Sequence, residues 1–315
     1  MKKKDIRRLN KVKKRAETQE AKRLASAGKP ETDVKLGKSD LFPRFCKDRL
    51  AVFGLVLFIV LALIGMSADL FFDYEQQAIL QNMSLRYLKP CAEHPFGCDE
   101  FGRDIMIRII YGARISLYVG IGVLIGSLTI GSIIGSIAAY YGGKVDMVLM
   151  RIMDVFLAIP NSLMAICVVA AFGTGIMKLI LALSISGVPR FSRIVRSAVL
   201  SCKGQEYVEA AKACGTRDLR IIFRHIIPNA IGPIIVQGTT SVARTVLTVS
   251  SLSFIGLGIA APTPEWGSML STGRAAMRYY PHIVIFPGLA IMAEALSLYC
   301  IGDGLRDAMD PRLRN

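Results

Sequence analysis

The sequence is poor in charge for its length. Only 20% of its 315 residues are Asp, Glu, Lys or Arg, whereas about a quarter is usual in soluble domains. The hydrophobic share is 52% and the mean hydropathy is +0.44. The few charges are clustered, so they leave several apolar runs of about 20 residues, the length that spans a bilayer. These features exclude an ordinary soluble domain and predict an all-α membrane protein.

The motifs of common enzymes are also missing. A phosphate-binding loop reads G-x-x-x-x-G-K-[ST] after a strand, and the nearest match, TDVKLGKS at 32–39, has Thr32 in place of the first glycine. No Ser/His/Asp set or zinc-hydrolase motif is present, and His94, His225 and His282 are scattered. We therefore expect a non-catalytic chain that binds no ATP itself.

Six apolar segments are candidate transmembrane helices. They cover roughly 50–72, 115–140, 155–173, 176–197, 231–258 and 282–302. The first starts too far from the N-terminus for a cleavable signal peptide, which makes it a retained span. Pro160 and Pro189 interrupt the third and fourth segments, where kinks are tolerated in membrane helices.

Glycines in the second span occur at four-residue spacing. They are Gly122 and Gly126, then Gly131 and Gly135. Small residues at this spacing let helix backbones approach closely in lipid, but glycine is also common in spans without that role. The sequence leaves both interpretations open.

Loop charges predict the orientation of the bundle. Residues 1–50 hold 17 Lys and Arg against 7 Asp and Glu, which favours a cytoplasmic N-terminus and attraction to anionic lipid over nucleic-acid binding. The loop 73–104 carries six acids and three bases and should be external. Residues 190–225, with eight bases and three acids, should then be cytoplasmic, as should the C-terminus.

The segment 206–229, EYVEAAKACGTRDLRIIFRHIIPN, has the pattern of soluble helices although it lies between two spans. Two apolar stripes have the i, i+3, i+4, i+7 spacing of one helix face: Tyr207, Ala210, Ala211 and Cys214, then Leu219, Ile222, Phe223 and Ile226. Between them, Gly215 suits the left-handed residue after a helix, and Thr216 can cap the next. Each helix is too short to be stable alone, so the pair needs a surface to pack against.

Two interpretations of this helix pair compete. A helix-turn-helix for DNA also consists of two short helices joined at a glycine. This pair, however, is only a few residues from a span on either side, where DNA could hardly reach it. We therefore expect a cytoplasmic docking element for a soluble protein, and no nucleic-acid partner.

The segment resembles the Glu-Ala-Ala loop of ABC-importer permeases. Glu209, Ala210, Ala211 and Gly215 match the core of that loop, and Pro228 matches its end. The residues His225 and Ile227 differ from the general pattern, which prefers Ile and Leu there. The segments 46–58, 94–117, 251–270 and 302–314 are similar to the second permease of dipeptide, oligopeptide and nickel importers. The resemblance covers about residues 40–315.

The resemblance implies a type I ABC importer permease with six transmembrane helices and a coupling loop between spans four and five. Its expected parts are a basic cytoplasmic tail (1–45), a first span with an external loop (46–110), a core permease domain (111–302) with the coupling loop 203–228, and a cytoplasmic C-terminal tail (303–315). The expected contacts with an ATP-binding subunit are Glu206, Tyr207, Glu209, Ala210, Ala211, Gly215, Leu219, Phe223 and Pro228.

The resemblance also implies the partners and the transport mode. A homologous second permease would complete a heterodimeric pore in a bacterial or archaeal cytoplasmic membrane. Two ATP-binding subunits would hold ATP and Mg²⁺, and an extracytoplasmic protein would deliver oligopeptides or dipeptides. Nickel or another small solute is the alternative cargo. A secondary carrier driven by an ion gradient is a further alternative, which the docking loop argues against.

Two further sets of residues have open interpretations. Cys91, His94 and Cys98 form C-x2-H-x3-C; the cysteines are unlinked, form a disulfide, or bind a metal with the imidazole. Arg244 and Glu294 lie deep in the fifth and sixth spans, where a charge by default faces a partner or a cavity. They are expected to pair across the two helices, or to line the substrate path and meet peptide termini.

Overall fold

The structure, a computed structural model, describes residues 38–309, with side chains from Phe42 onward except that of Asn161. Most of the predicted basic tail, nearly all of the stretch 32–39 and the end of the predicted C-terminal tail lie outside the described residues. Residues 41–309 belong to one compact unit.

The described residues form helices and no strand, which confirms the predicted helical class for this part of the chain. The helices are α1 (Lys38–Phe45), α2 (Arg49–Met66), α3 (Ala68–Phe71), α4 (Ile105–Tyr141), α5 (Gly143–Ala158), α6 (Asn161–Phe172), α7 (Ile176–Lys203), α8 (Glu206–Ala213), α9 (Asp218–Arg220), α10 (Ile231–Phe254), α11 (Trp266–Gly273) and α12 (His282–Met309). Short π or 3-10 turns occur at Tyr74–Ile79, Met83–Leu85, Ile221–Ile226 and Arg274–Ala276.

Judged by length and composition, the described residues contain fewer membrane-spanning helices than the six predicted. Among the described helices, only α2, α4 and α12 are long and apolar enough to cross a membrane alone. Two bent pairs, α5 with α6 and α9 with α10, raise the number to five. The predicted fourth span is the continuous helix α7, but Lys178, Arg190 and Arg193 flank its apolar stretch. The six-span count is therefore not confirmed.

The two prolines act differently. At Pro160 the chain breaks: α5 ends at Ala158, and α5 and Ser162–Phe172 are inclined by 88°. Proline has no N–H to donate and disfavours the α conformation of the residue before it, which explains the break. Pro189 is buried within α7, which continues through it. The predicted interruption is therefore a full break of the helix at Pro160, whereas the helix is continuous at Pro189.

Close packing of α4 against α7 forms the centre of the described fold. A Cβ on Gly135 would clash with the carbonyl oxygen of Ser192, and one on Gly131 would lie 2.6 Å from the Cβ of Phe191. In the same interface, the hydroxyl of Ser127 donates to the carbonyl oxygen of Ser184 (3.0 Å). The interpretation of the glycine spacing as a close-approach motif is confirmed for this helix pair.

The segment before α4 caps that helix. Asp104 accepts a hydrogen bond from the backbone N–H of Ile107 (3.0 Å), and its other carboxylate oxygen lies 2.7 Å from Nδ1 of His94. Arg108 is buried and donates to the carbonyl oxygens of Ala78 (2.7 Å) and Pro262 (3.2 Å). These contacts join three separate stretches of chain at the start of α4.

Cys91 and Cys98 are free thiols in the structure, which is the unlinked interpretation. Cys98 is fully buried while Cys91 is exposed. Burial raises the pKa of the Cys98 thiol to about 12, and nearby Asp104 contributes to the rise. This environment disfavours the thiolate that a metal ion would need, and the described residues hold no group of three or more potential ligands placed to bind one.

Candidate functional site

The segment 206–229 forms two short helical pieces joined at a glycine, as predicted. Gly215 is left-handed (φ +73°). Its N–H donates to the carbonyl oxygen of Lys212 (2.9 Å), and the N–H of Thr216 donates to that of Ala211 (3.1 Å). This pair of bonds is a Schellman motif. The predicted cap at Thr216 is wrong, because Arg217 has the capping position and makes no side-chain cap bond.

The apolar residues of the segment divide between a buried and an exposed set. Buried members are Val208, Ile221, Ile222 and Ile226. They pack against the C-terminal parts of two long helices, at Ala139 and Tyr140 of α4 and at Val195 and Val199 of α7. The segment is therefore held to the helix bundle by aliphatic side chains.

The predicted stripe of α8 is not the face that packs on the bundle. Val208 is the buried residue of that helix, whereas Ala210 and Cys214 are exposed and Ala211 is half-buried. Neighbouring positions on a helix are about 100° apart, so burial of Val208 turns much of the predicted stripe outward. In the second piece, Leu219 and Phe223 are 62% and 54% exposed.

The nine predicted coupling residues thus lie together on one segment, and most face outward. Exposed members are Glu206, Tyr207, Glu209, Ala210, Gly215, Leu219, Phe223 and Pro228. Ala211 is half-buried. An acidic first turn, Glu206 and Glu209, lies at the N-terminus of α8, where negative charge is favoured by the helix dipole.

Sequence reasoning missed the polar attachment of this segment. The hydroxyl of Tyr140, near the end of α4, donates to Oδ1 of Asp218 (2.6 Å). Next to this contact, Lys203 at the end of α7 donates from Nζ to the carbonyl oxygen of Ala139 in α4 (3.1 Å), which joins these two helices to each other. No local pattern predicts the bond between Tyr140 and Asp218, because the two residues are 78 positions apart.

Of the two interpretations of Arg244 and Glu294, the structure does not show the ion pair between them. Glu294 is 1% exposed, and neither of its carboxylate oxygens has a hydrogen-bond partner. Arg244 is half-buried and forms no ion pair with any other described residue. On α10 the face that packs against Leu298 of α12 contains Ala243, and Arg244 is rotated about 100° from it. Their roles as pore-lining residues stay a prediction.

Glu294→Leu should raise the thermal stability of the protein in detergent. A buried polar group without a partner costs about 1–3 kcal/mol, and leucine of similar length removes that cost. Glu294→Gln, which keeps the shape and a polar group, is the matched control and should leave the melting temperature nearly unchanged. A lower melting temperature for the leucine variant would show that the carboxyl group has a stabilising partner after all.

Comparison with known proteins assigns the family. The family model for the binding-protein-dependent transport system inner membrane component matches residues 131–315. The model for the N-terminal TM domain of oligopeptide transport permease C matches residues 39–90. The chain belongs to this family of membrane permeases. The segment 206–229 lies within the part of the permease that matches this transport component.

Several curated relatives match most of the permease. The dipeptide transport system permease protein DppC of Alkalihalophilus pseudofirmus is 45% identical, over 88% of this chain and 90% of its own. The oligopeptide transport system permease protein OppC of Bacillus subtilis is 39% identical, over 92% and 95%. The glutathione transport system permease protein GsiD of Pectobacterium atrosepticum is 39% identical, over 88% and 91%. These relatives are permease proteins of dipeptide, oligopeptide and glutathione transport systems.

A solved structure supports the fold. The permease aligns with a chain of the MetNI methionine ABC transporter in an inward-facing conformation, with a TM-score of 0.54 and 16% identity. The match covers 65% of this chain and 98% of that chain. At this identity the likeness concerns the fold alone.

Proposed function

We propose that this chain is a permease subunit of an ATP-driven importer of oligopeptides or dipeptides. It forms half of the pore together with a homologous second permease, and it is not itself an enzyme. The names of its curated relatives, which concern dipeptides, oligopeptides and glutathione, support a peptide cargo. The description of its family, a component of a binding-protein-dependent system, supports an external protein that delivers the cargo.

The observation that carries the coupling part of this proposal is the exposed apolar face of the segment 206–229. Leu219 and Phe223 are large, apolar and uncovered by the rest of the described chain, and such patches mark sites of protein contact. The occupant we infer is one of two ATP-binding subunits, which would hold the ATP and Mg²⁺. The charge distribution of the loops supports a cytoplasmic location for this face and for both termini.

Coupling follows from how the segment is attached. Ile221, Ile222 and Ile226 are buried against the ends of α4 and α7. A rigid-body shift of the docked ATP-binding subunit would therefore move these two helices with it. Movements of this kind switch packed helices between discrete arrangements, which would open the pore to one side at a time.

Phe223→Asp should weaken the association with the ATP-binding subunit. A charge in the centre of an apolar contact is costly, and loss of one central aromatic anchor reduces affinity by about ten-fold or more. Co-purification of the tagged permease with that subunit measures the effect. Val145→Asp is the matched control, since Val145 is 43% exposed but lies outside the segment. Equal association of the two variants would count against the docking assignment.

The cargo is tested on the external binding protein of the assembled transporter. We expect it to bind short peptides and to stimulate ATP hydrolysis in their presence, in titrations with di- to pentapeptides and, separately, with Ni²⁺. Stimulation by Ni²⁺ without peptides would overturn the peptide assignment and leave the docking assignment intact.

A further inference from the structure

Tyr140 links the end of α4 to the second half of the segment 206–229. Its side chain is 7% exposed, and its hydroxyl donates to Oδ1 of Asp218 at 2.6 Å. Asp218 is the first residue of α9, directly after the glycine turn. Because the acceptor is a carboxylate, this hydrogen bond is of the stronger, charge-assisted kind.

The ring of Tyr140 also contacts the first half of the segment. The Nζ atom of Lys212, in α8, lies 5.3 Å from the ring centroid, and the Nζ atom of Lys203, in α7, lies 5.9 Å from it. Both distances are within the range of attraction between a cation and an aromatic face. One tyrosine therefore contacts both halves of the segment and the end of α7.

The aliphatic contacts of the segment hold it in place without defining its angle. Burial of Ile221, Ile222 and Ile226 is a non-directional interaction, so it resists separation of the segment from the bundle more than rotation of the segment. A hydrogen bond constrains both distance and direction. The bond from Tyr140 to Asp218 thus supplies a directional constraint between the segment and α4.

We propose that Tyr140 is a positioning residue, which sets the angle of the segment 206–229 and transmits its movement to α4. The inference rests on the proposed function. Since Gly131 and Gly135 hold α4 directly against α7, a pull on Tyr140 moves the two helices as a pair. Without the bond, the segment can rotate on its aliphatic contacts while ATP is hydrolysed, and much of the movement is lost.

The test is Tyr140→Phe in the complete transporter, reconstituted in liposomes with its binding protein and a peptide. The variant keeps the ring and its two lysine contacts and removes only the donor. We expect the number of peptides imported per ATP hydrolysed to fall by about ten-fold, which corresponds to the lower part of the range for a hydrogen bond to a charged group. Co-purification of the ATP-binding subunit should be unchanged.

Matched variants separate positioning from a merely structural role. Tyr141→Phe alters the neighbouring, exposed tyrosine and should leave the import ratio unchanged. Asp218→Ala should reproduce the effect of Tyr140→Phe, and the double variant should lose no more than either alone. Asp218→Asn keeps an acceptor oxygen and should restore much of the ratio.

Two outcomes would overturn the inference. One is an unchanged import ratio in Tyr140→Phe, and the other is a loss of assembled complex in proportion to the loss of import. Both differ from failure of the proposed function, in which the unaltered permease does not associate with an ATP-binding subunit or Phe223→Asp does not weaken that association.

Discussion

Valine in place of Gly215 should abolish most of the transport activity, whereas valine in place of Gly204 should have little effect. Gly215 has φ +73°, a conformation that costs other residues about 1–2 kcal/mol and is especially unfavourable for a β-branched side chain. Apart from the adjoining residues of the chain, no heavy atom of the described residues lies within 4 Å of a Cβ built there, so the effect comes from the backbone and not from a clash. The strain is relieved if the Schellman turn opens.

Opening of that turn would displace the second half of the segment. The bonds from Gly215 and Thr216 to the end of α8 would break, and Leu219 and Phe223 would move away from the exposed face of α8. Gly204 offers the matched control, because it has no atom within 4 Å of a built Cβ and its φ is −86°. Peptide uptake by cells that produce equal amounts of each variant measures the difference. Similar uptake for both variants would show that the left-handed turn is not needed for coupling.

Alanine in place of Gly135 should markedly destabilise the helix bundle. A Cβ at this position would clash with the carbonyl oxygen of Ser192 and lie 3.0 Å from the backbone nitrogen of Arg196. Backbone atoms cannot turn aside as a side chain can, so α4 and α7 would have to separate. Overpacking of this kind costs about 1–3 kcal/mol. It would also disturb the helix pair to which the segment 206–229 is attached.

Gly238→Ala is the matched control for this prediction. Gly238 is also a buried glycine of a long helix, but the nearest atom to a built Cβ is Cδ1 of Leu124 at 3.5 Å, an ordinary contact. Alanine also favours the helix by about 1 kcal/mol. The melting temperature in detergent should fall for Gly135→Ala and stay level or rise for Gly238→Ala. The reverse order would contradict the close approach of α4 and α7.

Local features of the chain were predictable because they depend on neighbouring residues. Clustered charge and apolar runs indicate membrane helices, and the helices α10 and α12 begin at the predicted residues, Ile231 and His282. The left-handed turn at Gly215 follows from the composition of a few residues around it. The spacing of Gly131 and Gly135 also pointed to a helix contact, although the sequence did not name the partner helix.

Two of the predictions that failed concern which face of a helix meets which neighbour. The burial of Val208 in place of the predicted stripe of α8, and the separation of Arg244 from Glu294, each depend on a rotation of about 100° per residue. Helical periodicity identifies an apolar face, but it does not say whether that face packs against the same chain or remains for a partner.

The remaining features of the segment depend on contacts between residues that are far apart in the sequence. Tyr140 and Asp218 are 78 residues apart, and their hydrogen bond exists only because α4 and α7 pack closely enough to bring the segment beneath the end of α4. The sequence alone predicts a helical membrane permease with a docking segment and a glycine turn. How that segment is turned, what it exposes and what holds it to the bundle are set by tertiary packing, since these depend on contacts that no local pattern records.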